Sequence, residues 1–157
     1  MQSGKDKMDV LELIKADHLQ VETLFSEIES TDDTHKLYQC FNKLYNELNV
    51  HTEVEEQTFY PAIRRCQGTE KIVDVAQEEH EEARQMLEEL ASLSPTSAEF
   101  QQKISTLRQI IQHHIQSEED EVFSQVRDCM SEEERSQLGS EFQSVKSQVQ
   151  SEISVAS

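Results

Sequence analysis

Two stretches decide the fold: HTEVEEQTFYPAIRRC at 51–66 and HIQSEEDEVFSQVRDC at 114–129. Aligned without a gap, His51, Glu55, Glu56, Arg64 and Cys66 fall on His114, Glu118, Glu119, Arg127 and Cys129, at an offset of 63 residues. Each stretch sets a glutamate four residues after a histidine. Residues four apart share one face of a helix, so each pair points the same way.

Outward from these pairs, the same face stays apolar. In the second helix it runs Leu44, Leu48, His51, Glu55, Phe59 and Ala62; in the fourth, Ile104, Leu107, Ile111, His114, Glu118 and Val122. Two further stripes have the same period: Val10, Ile14, His18, Val21, Phe25 and Ile28, then Val73, Ala76, His80, Ala83, Leu87 and Leu90. Helix one is expected over about Met8–Glu29, and helix two from the polar Ser30–Thr34 region to about Cys66, kinked by Pro61 and stopped by Gly68. Helix three is expected from after Thr69 to about Leu93. Helix four is expected to open on Pro95 and to end near Cys129. Ser131 with Glu134 reads as a capping box, and Gly139 is expected to break the remaining tail into two short pieces. Phe142, Val145, Val149 and Ile153 could lay the second piece on the core.

The expected fold is therefore all-α: an antiparallel up-down four-helix bundle over 8–130, with a short extra C-terminal helical segment over 131–157. Composition agrees. The 157 residues fit one domain, and 3 glycines and 2 prolines are too few for a turn-rich β protein. A formal charge of −18 opposes binding to nucleic-acid phosphates or to an anionic membrane surface, so neither partner is expected. Cys40, Cys66 and Cys129 form no CxxC pair and leave one unpaired in any bridging scheme. With no apolar signal core in MQSGKDKMDV, this reads as a cytoplasmic chain. Cys66 and Cys129 end diagonal helices, so a disulfide between them is not expected.

The polar members of the stripes do not belong in an ordinary core. Each stripe holds a histidine, and two add a glutamate. An ionised carboxylate facing a dry interior costs several kcal/mol unless paired. A bound cation supplies the pairing; histidines satisfied by neighbouring glutamates are the blander alternative. His18 and His80 extend the repeat at an offset of 62, so each half offers His, His and Glu. Imidazole with carboxylate suits iron, manganese or zinc. Six ligands, two of them carboxylates able to bridge, suit two metals better than one tetrahedral zinc. No Glu-xx-His occurs at the four histidines, which excludes the ferritin-like pattern, and His80-Glu-Glu-Ala-Arg84 fails as HExxH.

With DH at 17–18, HTEVEEQTFYP at 51–61, EEH at 78–80 and HHIQSEEDEVF at 113–123, the chain resembles the hemerythrin-like, or HHE, domain family over about residues 10–130. The resemblance implies a bundle holding two non-haem iron ions. The implied ligands are His18, His51, Glu55, His80, His114 and Glu118, with Glu55, Glu118 and an oxo or hydroxo group bridging. It also implies a protein that binds O2 or a related small molecule, such as NO or peroxide, for sensing or storage. The other implied reading is an enzyme acting on peroxide or nitric oxide, or an iron donor in repair. A sensing role would need a separate protein partner. Oxygen-carrying relatives place another histidine where this chain has Arg84, so their five-histidine set is incomplete here.

Other polar residues have weaker claims. His113 lies about 100° from His114 and faces away, and His35 lies near a loop. Glu56 and Glu119 could accept a ligand histidine's N–H or simply face water. Arg84 could pair with Glu22, its repeat mate, gate the metals, or be an ordinary surface ion.

Overall fold

The apolar stripes do form helices. The structure, a computed structural model, describes residues 8–156. It is all-helical, with no strand among the described residues. We label the α-helices α1 (Val10–Ser30), α2 (Thr34–Val54), α3 (Tyr60–Ile63), α4 (Glu70–Ala91), α5 (Ala98–Ser117), α6 (Phe123–Cys129) and α7 (Glu132–Ala156). Two π-helical turns, Glu55–Phe59 and Glu118–Val122, join α2 to α3 and α5 to α6. Every member of the four stripes is buried.

Local chemistry sets the helix ends. Asp9 caps α1 by accepting from Leu11 N–H at 2.8 Å, and Asp33 caps α2 through His35 N–H at 2.9 Å. Ser97 caps α5 through Phe100 N–H at 3.1 Å, so that helix opens at Ala98. Pro95 therefore lies in the preceding turn and not at the first helical position. Ser131 and Glu134 form the reciprocal capping pair at the start of α7, at 3.2 and 2.9 Å. The second arm ends at Ile63, and Gly68 takes φ +83° in the turn that follows. The buried Thr69 hydroxyl there reaches the carbonyls of Ile63 and Cys66.

α1 packs on α2, and α4 on α5; α1 also touches α5, and α2 touches α4. Two apolar clusters result. One joins Val21, Leu24, Phe25 and Ile28 to Leu44, Leu87, Leu90, Phe100 and Leu107. The other joins Val10, Ile14, Val54, Phe59 and Phe123 to the C-terminal Phe142 and Val149. The buried histidines and glutamates lie between the two along the stripes.

Two expectations are overturned at the C-terminal end. The tail is one helix of 25 residues and is not broken at Gly139. That glycine sits where the chain at Met8 and Val10 crosses α7, and a Cβ there would run into their backbone. Its role is close approach, and helix breaking is only a weak tendency that tertiary packing overrides. α7 packs on α1, α2 and the first π-turn, and Arg135 bonds Asp9 at 2.7 Å. The second correction is that Cys66 and Cys129 form a disulfide, with their Cα atoms 5.9 Å apart. The expectation assumed straight helices. Each arm instead passes through a π-turn before its cysteine, and the two arm ends converge. The bridge also removes the cysteine argument for a reducing compartment. Cys40 remains a buried free thiol.

Candidate metal centre

Glu55 and Glu118 each open a π-turn, and each turn is closed by that glutamate's own carbonyl: Tyr60 N–H bonds Glu55 O, and Phe123 N–H bonds Glu118 O. A π-turn inside an α-helix holds an extra residue and often marks a functional site. Only the first arm carries a proline there, so Pro61 is not the common cause. Both glutamates are almost wholly shielded from solvent, at 0% and 1% exposure.

All six residues singled out from sequence meet in one place. His18, His51, Glu55 and Glu118 each offer a donor atom within 4.8 Å of the others, and so do Glu55, His80 and His114. Glu55 belongs to both groups. His51 Nε2 and His80 Nε2 both lie 3.2 Å from Glu55 Oε1. His18 Nε2 lies 3.2 Å, and His114 Nε2 3.6 Å, from the two oxygens of Glu118.

These separations are short enough for ion pairs, yet several of the atoms make no hydrogen bond. His18 Nε2, His51 Nε2, Glu55 Oε2 and Glu118 Oε1 are buried without a hydrogen-bond partner. The short distance and the missing bond agree if the lone pairs aim past one another at a shared point. Orphaned buried donors of this kind are costly, and a cation between them satisfies several at once. The donor set fits metal: imidazole nitrogens and carboxylate oxygens, with no thiolate.

Each imidazole is held from behind by a carboxylate on its Nδ1. His18 meets Glu119 at 2.7 Å, His51 meets Asp17 at 2.8 Å, His80 meets Glu56 at 2.8 Å and His114 meets Glu79 at 2.7 Å. Such a partner fixes ring orientation and leaves Nε2 free for a metal. The pattern obeys the repeat: Glu119 answers Glu56, and Glu79 answers Asp17. Two of the acids are themselves backed by cations, Asp17 by Lys146 at 2.6 Å and Glu56 by Arg84 at 2.7 Å.

Sequence reasoning named Glu56 and Glu119 but missed Asp17 and Glu79. The available signal was an acid immediately before both His18 and His80, at the repeat offset. It also missed Tyr60. The Tyr60 hydroxyl lies 2.9 Å from Glu118 Oε2, 3.3 Å from Glu55 Oε1 and 3.1 Å from His80 Nε2. Its repeat mate is Phe123, so the two halves differ here. Arg84 does not pair with Glu22. It bonds Glu56 and Thr52, while Glu22 faces Arg108 and Gln112. His113 and His35 are exposed, as expected.

Six carboxylates and two cations surround the four imidazoles, an excess of four negative charges when the rings are neutral. Titration follows from that excess. Burial opposes charging His51, but Glu55 and Asp17 outweigh it and raise its pKa well above the usual value. His18 and His80 are raised in the same way, against burial, chiefly by Glu118 and Glu55 respectively. Burial would raise the Glu55 carboxyl, but His51 and His80 carry it well below the ordinary range. Burial and the two buried glutamates hold the Tyr60 phenol protonated.

The comparisons with known proteins follow the same lines. A protein of Nostoc sp. (strain PCC 7120 / SAG 25.82 / UTEX 2576) named DNA nickase is 31% identical over 154 residues, 96% of this chain and 43% of the relative. The chain thus spans less than half of that protein's length. An uncharacterised hemerythrin-like protein of Schizosaccharomyces pombe is 25% identical over 87% of this chain and 68% of its own. The crystal structure of a hemerythrin HHE cation-binding domain-containing protein from Mycobacterium kansasii superposes with a TM-score of 0.81. It covers 92% of this chain and 89% of that one, at 19% identity, and so shows a shared fold. Residues 9–126 match the hemerythrin HHE cation-binding domain, and the chain belongs to that family.

Proposed function

We propose that this chain is a non-haem di-iron protein of hemerythrin-like type that binds O2 or a related small molecule for sensing or storage. The observation that carries the reading is the pair of buried donor groups sharing Glu55. In this reading His18 and His51 hold one iron and His80 and His114 the other, with Glu55 and Glu118 bridging. Charge supports two ions, because two divalent cations cancel the four excess negative charges of the cluster. The four arms are read as an antiparallel up-down bundle over 8–130, with the tail over 131–157 lying on its first half. Short connections and the packing of α1 on α2 and α4 on α5 support this.

Iron at this place would supply reversible electron transfer to, or direct binding of, a small molecule. The chain's own part is orientation and exclusion of water. The Nδ1 carboxylates hold all four rings with Nε2 facing inward, and the apolar clusters on either side keep the centre dry. No helix among the described residues is long and apolar enough to cross a membrane. The −18 charge favours a protein that contacts neither anionic lipid nor nucleic-acid phosphate, although a relative bears the name DNA nickase.

One observation favours the second reading, an enzyme acting on peroxide or nitric oxide. The buried Tyr60 hydroxyl is a hydrogen-bond donor set among the ligand atoms, 2.9 Å from Glu118. One experiment tests the metal: iron analysis of anaerobically purified protein, then an optical spectrum on adding air. Two irons per chain with a new visible absorption are expected. Saturation at one metal per chain overturns the paired site. A long-lived adduct released intact under argon favours storage, and rapid turnover of peroxide or nitric oxide favours the enzyme.

A further inference from the structure

The two halves are repeats, but only one is covered. In the first half α7 shares a core cluster with Val10, Leu13, Ile14, Val50, Val54 and Phe59, and its Lys146 reaches Asp17. At the repeat offset the second half presents Ile72, Val75, Ala76, His113, Ser117 and Val122, with Glu79 in the place of Asp17. No described helix lies on this second groove. It is instead a cavity of about 320 Å³ that has the ligand residues His114 and Glu118 in its lining.

Four of the six side chains are smaller in the second half, while isoleucine replaces Val10 and histidine replaces Val50. Valine replaces leucine, alanine replaces isoleucine, histidine and serine replace valines, and valine replaces phenylalanine. Most of these exchanges remove volume, and two add polarity. A surface meant to be buried under a helix needs the opposite. Val75 is left 47% exposed in the second turn of α4. Of the other approaches, the first-half face is covered by α7 and one end of the centre by the cluster around Phe25 and Phe100. Inside, the four imidazoles border a void of only about 20 Å³, which is room for a single very small molecule.

We propose that this groove is the entrance and docking pocket through which a small uncharged molecule reaches the metal centre, with Val75, Ala76 and Ser117 setting the size admitted. The inference rests on the metal-centre reading. Ile72, Val75, Ala76 and Val122 give apolar walls that suit a weakly hydrated molecule. On the same lining three acids, Glu79, Glu118 and Glu121, outnumber the one lysine, Lys71, and so disfavour anions.

The test gives the second half the first half's side chains, Val75→Leu, Ala76→Ile and Ser117→Val. Nitric oxide is mixed with the anaerobic, reduced protein, and the association rate is followed by stopped-flow absorbance and referred to the iron bound. A fall of about tenfold or more, with the same final amplitude, is expected. An unchanged rate overturns the proposal. A readout independent of metal uses Ser117→Cys in metal-free protein, treated with the small neutral reagent methyl methanethiosulfonate. Fast reaction is expected, slowed when Val75→Leu and Ala76→Ile are added. A thiol that stays inert overturns the open groove. Absence of iron from the wild-type protein would instead defeat the metal reading, and the thiol measurement would still decide whether the groove is open.

Discussion

Stripping the metal should cost this protein roughly 10 °C of melting temperature at pH 8, and much less at pH 6. Without a cation, four buried donor atoms have no hydrogen-bond partner: His18 Nε2, His51 Nε2, Glu55 Oε2 and Glu118 Oε1. An unsatisfied buried polar atom costs about 1–3 kcal/mol. Taking the lower figure, because the rings can protonate, the four sum to about 4 kcal/mol. For a chain of this size, each 1 kcal/mol moves the midpoint by about 2–4 °C. The pH dependence comes from the histidines. His18, His51 and His80 have folded pKa values raised above the ordinary one. Their pairing therefore stabilises the metal-free fold fully below about pH 6.5, and that stability is lost as pH rises through the folded values. Glu55, Asp17 and Glu56 act at the other end, because their carboxyls are lowered. Their stabilisation is present above about pH 4.3 and fades as pH falls. Metal-free protein is thus most stable between those limits, while metal-bound rings are neutral and gain from higher pH. Thermal melts followed by circular dichroism, with and without chelator at pH 6 and pH 8, check this. Equal midpoints with and without chelator at pH 8, or a gap that narrows as pH rises, would show that no cation is satisfying the four buried atoms.

Further outcomes follow from individual contacts. Asp17→Ala removes the acceptor on His51 and strands Lys146, so metal affinity should fall about 10- to 100-fold in a competition titration. Arg84→His should add no metal ligand, because residue 84 stands beside Glu56 and Thr52 at the rim of the site, and should weaken metal binding in the same titration by removing the cation behind Glu56, the acceptor on His80. Breaking the Cys66–Cys129 bridge, which closes a loop of 63 residues in sequence separation, should cost up to about 4 kcal/mol in urea unfolding by the chain-entropy argument. Gly139→Ala drives a methyl group into the backbone carbonyl of Met8 and should destabilise by about 1–3 kcal/mol in the same assay.

The helical stripes, the repeat and the six inward polar residues are legible in the order of residues alone. This is because an amphipathic helix writes its buried face into that order at about 100° per step. His51 with Glu55, and His114 with Glu118, were legible because they share that face within one helix. Tyr60 was not. Five residues after Glu55, a regular α-helix would carry it about 140° round, off the stripe. The π-turn at Glu55 returns it to the centre, and no residue pattern announced that turn. Asp17 and Glu79 were hidden for another reason. They stand beside His18 and His80 in sequence but hold His51 and His114, on other helices. Only tertiary packing assigns an acid to a ring across helices. It also brought Cys66 to Cys129, because the bends that let the arm ends converge are not written in the hydrophobic period. Gly139 shows the same limit. Its local preference says break, but it lies inside a helix because another segment of backbone passes where a side chain would be.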